Sequence, residues 1–65
     1  MTLYITDPAD NREIERQAST VKEALETLED LAGIRLKNPM QISHRLIGDS
    51  GEDLTREIEY LFDNE

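Results

Sequence analysis

A chain of 65 residues with a net charge of −8 and no cysteine has room for one domain, spanning 1–65, and cannot be stapled by a disulfide or a thiolate metal site. The acid excess opposes binding to phosphates. No apolar run approaches the ~20 residues of a membrane span, and the stretch after Met1 is too short for a signal peptide. The expectation is a cytoplasmic protein. A core of this size contributes only about 3–5 kcal/mol. With the covalent and metal staples removed, self-association is the remaining one, so a homodimer or higher homo-oligomer is expected.

The first element, residues 2–6, alternates Leu3 and Ile5 with Thr2, Tyr4 and Thr6, the period of a short strand. Asp7-Pro8 then supplies an N-cap acceptor followed by proline at the first helical position. Ile14, Ala18, Val21, Leu25, Leu28 and Ala32 are spaced alternately by four and three, the interval of one helical face. Gly33 ends that run where a left-handed residue is needed. This pattern predicts one long helix, 8–32. A competing signal sits inside it: Thr20 with Glu23 forms a capping box. Read from there, Asp7–Asn11 is a turn, Glu13–Ala18 is the second strand of an N-terminal β-hairpin, and the helix is 20–32. The long helix is favoured because Glu13–Gln17 (EIERQ) is poor strand material. A helix of about 25 residues is ~37 Å long, so strand 2–6 would then need a partner from another chain.

Asn38-Pro39 repeats the cap-and-proline device, and Ile42, Leu46 and Ile47 share a helical face closed by Gly48. A second helix, 39–47, is expected. Ser50 with Asp53 suggests another cap, and Leu54, Ile58, Leu61 and Phe62 mark a third helix, 51–63. The fold class is therefore mainly α: a small bundle of three helices with an N-terminal strand. The alternative is a small α+β domain with the hairpin. The expected core is Leu3, Ile5, Ile14, Ala18, Val21, Leu25, Leu28, Ala32, Ile42, Leu46, Leu54, Ile58, Leu61 and Phe62.

Charge is uneven. Residues 1–32 hold eight acids and three bases, and 51–65 hold six acids and one base. Residues 33–50 hold Arg35, Lys37 and Arg45 against Asp49. His44 is the sole histidine, and catalysis would need converging groups and a pocket. No catalytic residue is assigned and an enzyme is not expected. Asp49–Asp53 fails the spacing of a calcium loop; no metal and no cofactor are assigned. The order 39–47, glycine turn, 51–63 has the outline of a helix-turn-helix, but its second helix is acidic, which phosphates repel.

These features point to binding. The expected function is a small acidic protein–protein interaction module: a regulator, inhibitor, adaptor or antitoxin-like protein of the kind a phage or mobile element encodes. Its partner would be a basic or nucleic-acid-binding protein, approached as a DNA mimic would approach it. The acidic contact residues would be Glu23, Glu26, Asp30, Glu52, Glu59 and Asp63. Tyr4, Leu31, Met40, Ile47 and Tyr60 lie just off the ideal apolar faces and are the apolar contact candidates. Two alternatives stand beside this. One is a dimeric nucleic-acid-binding bundle that contacts phosphate through Arg35, Lys37 and Arg45; the other is a structural subunit of a larger assembly.

Overall fold

The computed structural model describes residues 1–7, 10–33 and 38–64. It is an α+β fold, not a three-helix bundle. In chain order it has β1 (Thr2–Thr6), β2 (Glu13–Gln17), α1 (Val21–Ala32), a 3₁₀ turn at Pro39–Gln41, β3 (His44–Ile47) and α2 (Thr55–Asp63). The three strands form one antiparallel sheet in the order β2-β1-β3.

The expected helix 8–32 is overturned by the hairpin. The Asp7 amide donates to the Arg12 carbonyl at 2.8 Å, and the Asn11 amide donates back to the Asp7 carbonyl at 2.8 Å. Asn11 adopts φ 57, a left-handed conformation that asparagine tolerates better than most residues. The Asp10 carboxylate accepts from the Arg12 amide. Asp7 therefore serves a turn rather than a helix cap. Glu13–Gln17 becomes a strand despite its composition because β1 would otherwise carry unpaired backbone groups. Pairing over five residues satisfies them on that side.

α1 starts at the capping box inside the expected long helix. Thr20 Oγ1 accepts from the Glu23 amide at 3.1 Å, and Glu23 Oε2 accepts from the Ser19 amide at 3.3 Å. Gly33 closes the helix at φ 52, its amide donating to the Glu29 carbonyl, as the C-terminal glycine implies.

The expected helix 39–47 shrinks to one turn. Asn38 does cap it, its side chain accepting from the Met40 amide at 2.8 Å. By Ile42 the backbone is extended, at φ −76 and ψ 129. Ile42 and Leu46 are four apart, a spacing that a strand of period two satisfies as well as a helix. The expected helix 51–63 begins at Thr55 instead. Ser50 does not cap it; its hydroxyl donates to Glu52 Oε1. Residues 52–54 run alongside β3: the Gly48 amide donates to the Glu52 carbonyl and the Leu54 amide to the Leu46 carbonyl, each at 2.8 Å, with a bridge between Ile47 and Asp53. With no helix at 39–47, the helix-turn-helix outline also falls.

Directly opposed residues in an antiparallel sheet share a face. One face carries Leu3, Ile5 and Leu46, all buried. With Ile42, with Ala24, Leu25, Leu28 and Ala32 of α1, and with Ile58 of α2, they form a single core. Each fully buried leucine or isoleucine contributes about 1.5–3 kcal/mol. Of the expected core, Ile14 stays half-exposed on β2, and Val21, Leu54, Leu61 and Phe62 lie at the margin. Ala24 is fully buried. No helix is long and apolar enough to cross a membrane among the described residues.

Candidate interaction surface

The other face of the sheet carries Thr2, Tyr4 and Thr6 from β1, Glu13, Glu15 and Gln17 from β2, and Arg45 and Ile47 from β3. The registry follows from the side-chain period of two. Tyr4 lies between Glu15 on one neighbouring strand and Arg45 on the other. The Arg45 guanidinium sits 4.9 Å from the centre of the Tyr4 ring, a cation–π contact. The first turn of α2 closes one side of this face, so that Glu13, Arg45, Asp53, Arg56 and Glu59 surround an open groove.

Asp53 is held at the rim of this groove. Hydrogen bonds from the Thr55 side chain and amide, the latter at 2.9 Å, keep its carboxyl below the ordinary value of 3.8. The Arg45 and Arg56 charges act in the same direction, more weakly. Thr55 also serves the sheet: its Oγ1 accepts from the Leu46 amide at 3.0 Å.

Ser43, just before β3, and His44, its first residue, point to opposite faces, since adjacent residues of an extended chain alternate, and no hydrogen bond joins them as a nucleophile–base pair. The His44 Nδ1 lies 2.7 Å from the Ile42 carbonyl. A carbonyl only accepts, so Nδ1 carries the hydrogen. Among the described residues, Nε2 is buried with no hydrogen-bond partner.

The expected acidic contact residues fall in three places. Glu23, Glu26 and Asp30 are exposed along α1 at intervals that put them on one stripe. Glu59 and Asp63 do the same on α2, with Glu59 reaching the groove. Glu52 folds back over Gly48 instead. Of the apolar candidates, Tyr60 is 69% exposed and Leu31 is 43% exposed. Met40 packs against the core, and Tyr4 and Ile47 are half-buried on the outer sheet face. Arg35 and Lys37 lie outside the described residues. Arg45, the third of the basic set, is engaged with Tyr4.

Glu13 and Glu15 are not singled out in the sequence. Their signal was the alternation of Glu13, Glu15 and Gln17, which acquires meaning only once 13–17 is a strand. Among the described residues just two ion pairs form, Arg12 with Asp10 at 3.7 Å and the Met1 ammonium with Asp49 at 3.0 Å. Among the described residues, no carboxylate of the outer sheet face or of either helix is in an ion pair. No family model, curated protein or solved structure matches the chain.

Proposed function

We propose that the chain is a small acidic protein–protein interaction module that binds a basic protein. The observation that supports this most directly is the mismatch between charge and pairing. The chain has fifteen acids and seven bases, yet the described residues contain only two ion pairs. Exposed carboxylates left in this state repel one another, which disfavours the compact form. A basic partner relieves that repulsion and is steered towards the chain by it. A partner that itself binds nucleic acid has the same complementarity, which makes the nucleic-acid mimic a narrower form of this reading.

The test is capture of partners from nuclease-treated lysate of the source cells on the immobilised chain, at low and high ionic strength. A parallel capture uses the variant with Glu26→Gln, Asp30→Asn, Glu59→Gln and Asp63→Asn. The expected result is one stoichiometric basic protein, retained at low salt, released at high salt and depleted on the variant. Capture that is indifferent to both salt and variant, or of the bait alone, would overturn the reading.

A further inference from the structure

We propose that the free edge of β2 takes up an extended segment of the basic partner as an added antiparallel strand. Basic side chains lie opposite Glu13 and Glu15, and an apolar one lies opposite Ile14. This rests on the reading of the chain as an acidic binding module and gives that reading a place on the fold.

The two edges of the sheet are treated differently. The outer edge of β3 is covered: the Gly48 amide donates to the Glu52 carbonyl, the Leu54 amide donates to the Leu46 carbonyl, and Thr55 Oγ1 accepts from the Leu46 amide. β2 is the terminal strand on the other side. Met1 and Ala18 exchange hydrogen bonds in both directions, and Asp7 bonds Arg12. Alternation along an antiparallel ladder then makes Leu3–Arg16 and Ile5–Ile14 the bonded pairs. The backbone groups of Glu13, Glu15 and Gln17 point away from β1. One of them is covered by the chain itself: Arg16 Nη1 donates to the Glu15 carbonyl at 2.8 Å. That contact is exposed, and the amide of an incoming strand replaces it directly. An edge of this kind is a ready template for strand addition.

Charge decides the occupant. Glu13 and Glu15 are exposed on the outer face, and among the described residues neither is in an ion pair. A second copy of β2 is disfavoured. In the antiparallel two-fold registers that use the outward backbone groups and overlap by three or more residues, Glu15 meets Glu15, Glu13 meets Glu15, or Arg16 meets Arg16. Like charges directly opposed are destabilising. A strand with basic residues at alternate positions turns the same geometry into favourable cross-strand pairs. Its intervening residue falls on the other face, beside half-exposed Ile14. There a recess of ≈ 40 Å³ between Ile5, Asp7, Ile14, Leu31 and Ile42 accepts an apolar tip.

The probe is a capped peptide alternating lysine and valine, titrated into the full chain and followed by amide chemical shifts. One control carries the same side chains with N-methylated backbone amides, and a second replaces lysine by glutamate. The expected result is shifts concentrated at Glu13–Gln17 with the first peptide only. Arg16→Ala should tighten binding by uncovering the Glu15 carbonyl. Glu13→Lys with Glu15→Lys should weaken it about ten-fold or more while leaving the circular dichroism unchanged. Equal binding of the N-methylated peptide, shifts confined to the helices, or self-association through β2 would each overturn the edge as the docking site. So would failure of the lysine–valine peptide to bind while the lysate capture still yields a salt-sensitive basic protein, and in that case the module reading survives. A lysate capture with no such protein removes both.

Discussion

The Leu46 amide donates to Thr55 Oγ1 at 3.0 Å, and this contact joins the outer side of β3 to the first residue of α2. It is a half-buried bond between a strand and a side chain. Replacing Thr55 by valine keeps the shape and leaves the Leu46 amide without a partner. An orphaned donor of this kind costs about 1–3 kcal/mol. In a domain this small each kcal/mol lowers Tm by about 4–8 °C. Thr55→Val is therefore expected to lower Tm clearly, and Thr55→Ser to restore most of the loss. Thermal unfolding of the two variants checks this; an unchanged Tm for the valine variant would remove the contact from the account of the fold.

Asp53 makes the same junction sensitive to acid. Its carboxyl is held below 3.8 first by the Thr55 side chain, then by the Thr55 amide, with Arg45 and Arg56 adding to both. A folded value below the unfolded one means that the contribution is complete above the ordinary aspartate range. It is lost as pH falls through 3.8 and on through the lower folded value. Asp53→Asn should flatten that part of the acid limb of stability. In the Thr55→Val background the same change should flatten it less, because the largest cause is already gone. Urea unfolding at a series of pH values on the four proteins of this cycle gives the answer. An identical pH slope for all four would contradict it.

The two proline devices explain most of what the sequence left ambiguous. Asp7-Pro8 and Asn38-Pro39 both carry the local chemistry of a helix start, and the second does cap a turn, through Asn38 and Met40. Neither begins a helix of any length. Local capping favours a start, but tertiary pairing decides whether the chain continues in it. Ile14 with Ala18, and Ile42 with Leu46, are spaced by four, which fits a helical face and a strand face equally. The arbiter is the partner strand β1, and no window of sequence around 14 or 44 contains it. α1 from Val21 onwards, its cap and its terminal glycine were legible because their determinants are local. The outer sheet face was not, since the meeting of Tyr4 with Arg45 and Glu15 depends on register across three strands.

The capping box offers a direct measure of where α1 begins. Thr20→Ala should cost about 1 kcal/mol, because Thr20 Oγ1 holds the Glu23 amide at 3.1 Å. Glu23→Ala should cost less, since its carboxylate reaches the Ser19 amide at 3.3 Å on an exposed surface. A double-mutant cycle on the pair, followed by urea unfolding, should show coupling between them. Strict additivity would mean that the two bonds form independently and that the box is not a unit.

Proline placed along β2 separates the two sides of that strand. The Arg16 amide lies on the side bonded to β1, opposite Leu3, and the Glu15 amide lies on the open edge. Proline removes a donor and is tolerated in sheets only where that donor faces outward. Arg16→Pro should remove a ladder bond and orphan the Leu3 carbonyl, at a cost of about 3 kcal/mol, comparable to the whole stability of a domain this size. Glu15→Pro keeps the ladder and pays only the strain of fixing φ in an extended strand. The expected result is a folded Glu15→Pro chain and an unfolded or severely weakened Arg16→Pro chain, read by circular dichroism and urea titration. Were 13–17 helical instead, both prolines would break it alike. Glu15→Pro also withdraws the outward amide at the middle of the free edge, so it should abolish binding of the lysine–valine peptide without reversing any charge on its neighbour Glu13. A variant that stays folded and still binds would show that attraction between charges alone holds the peptide.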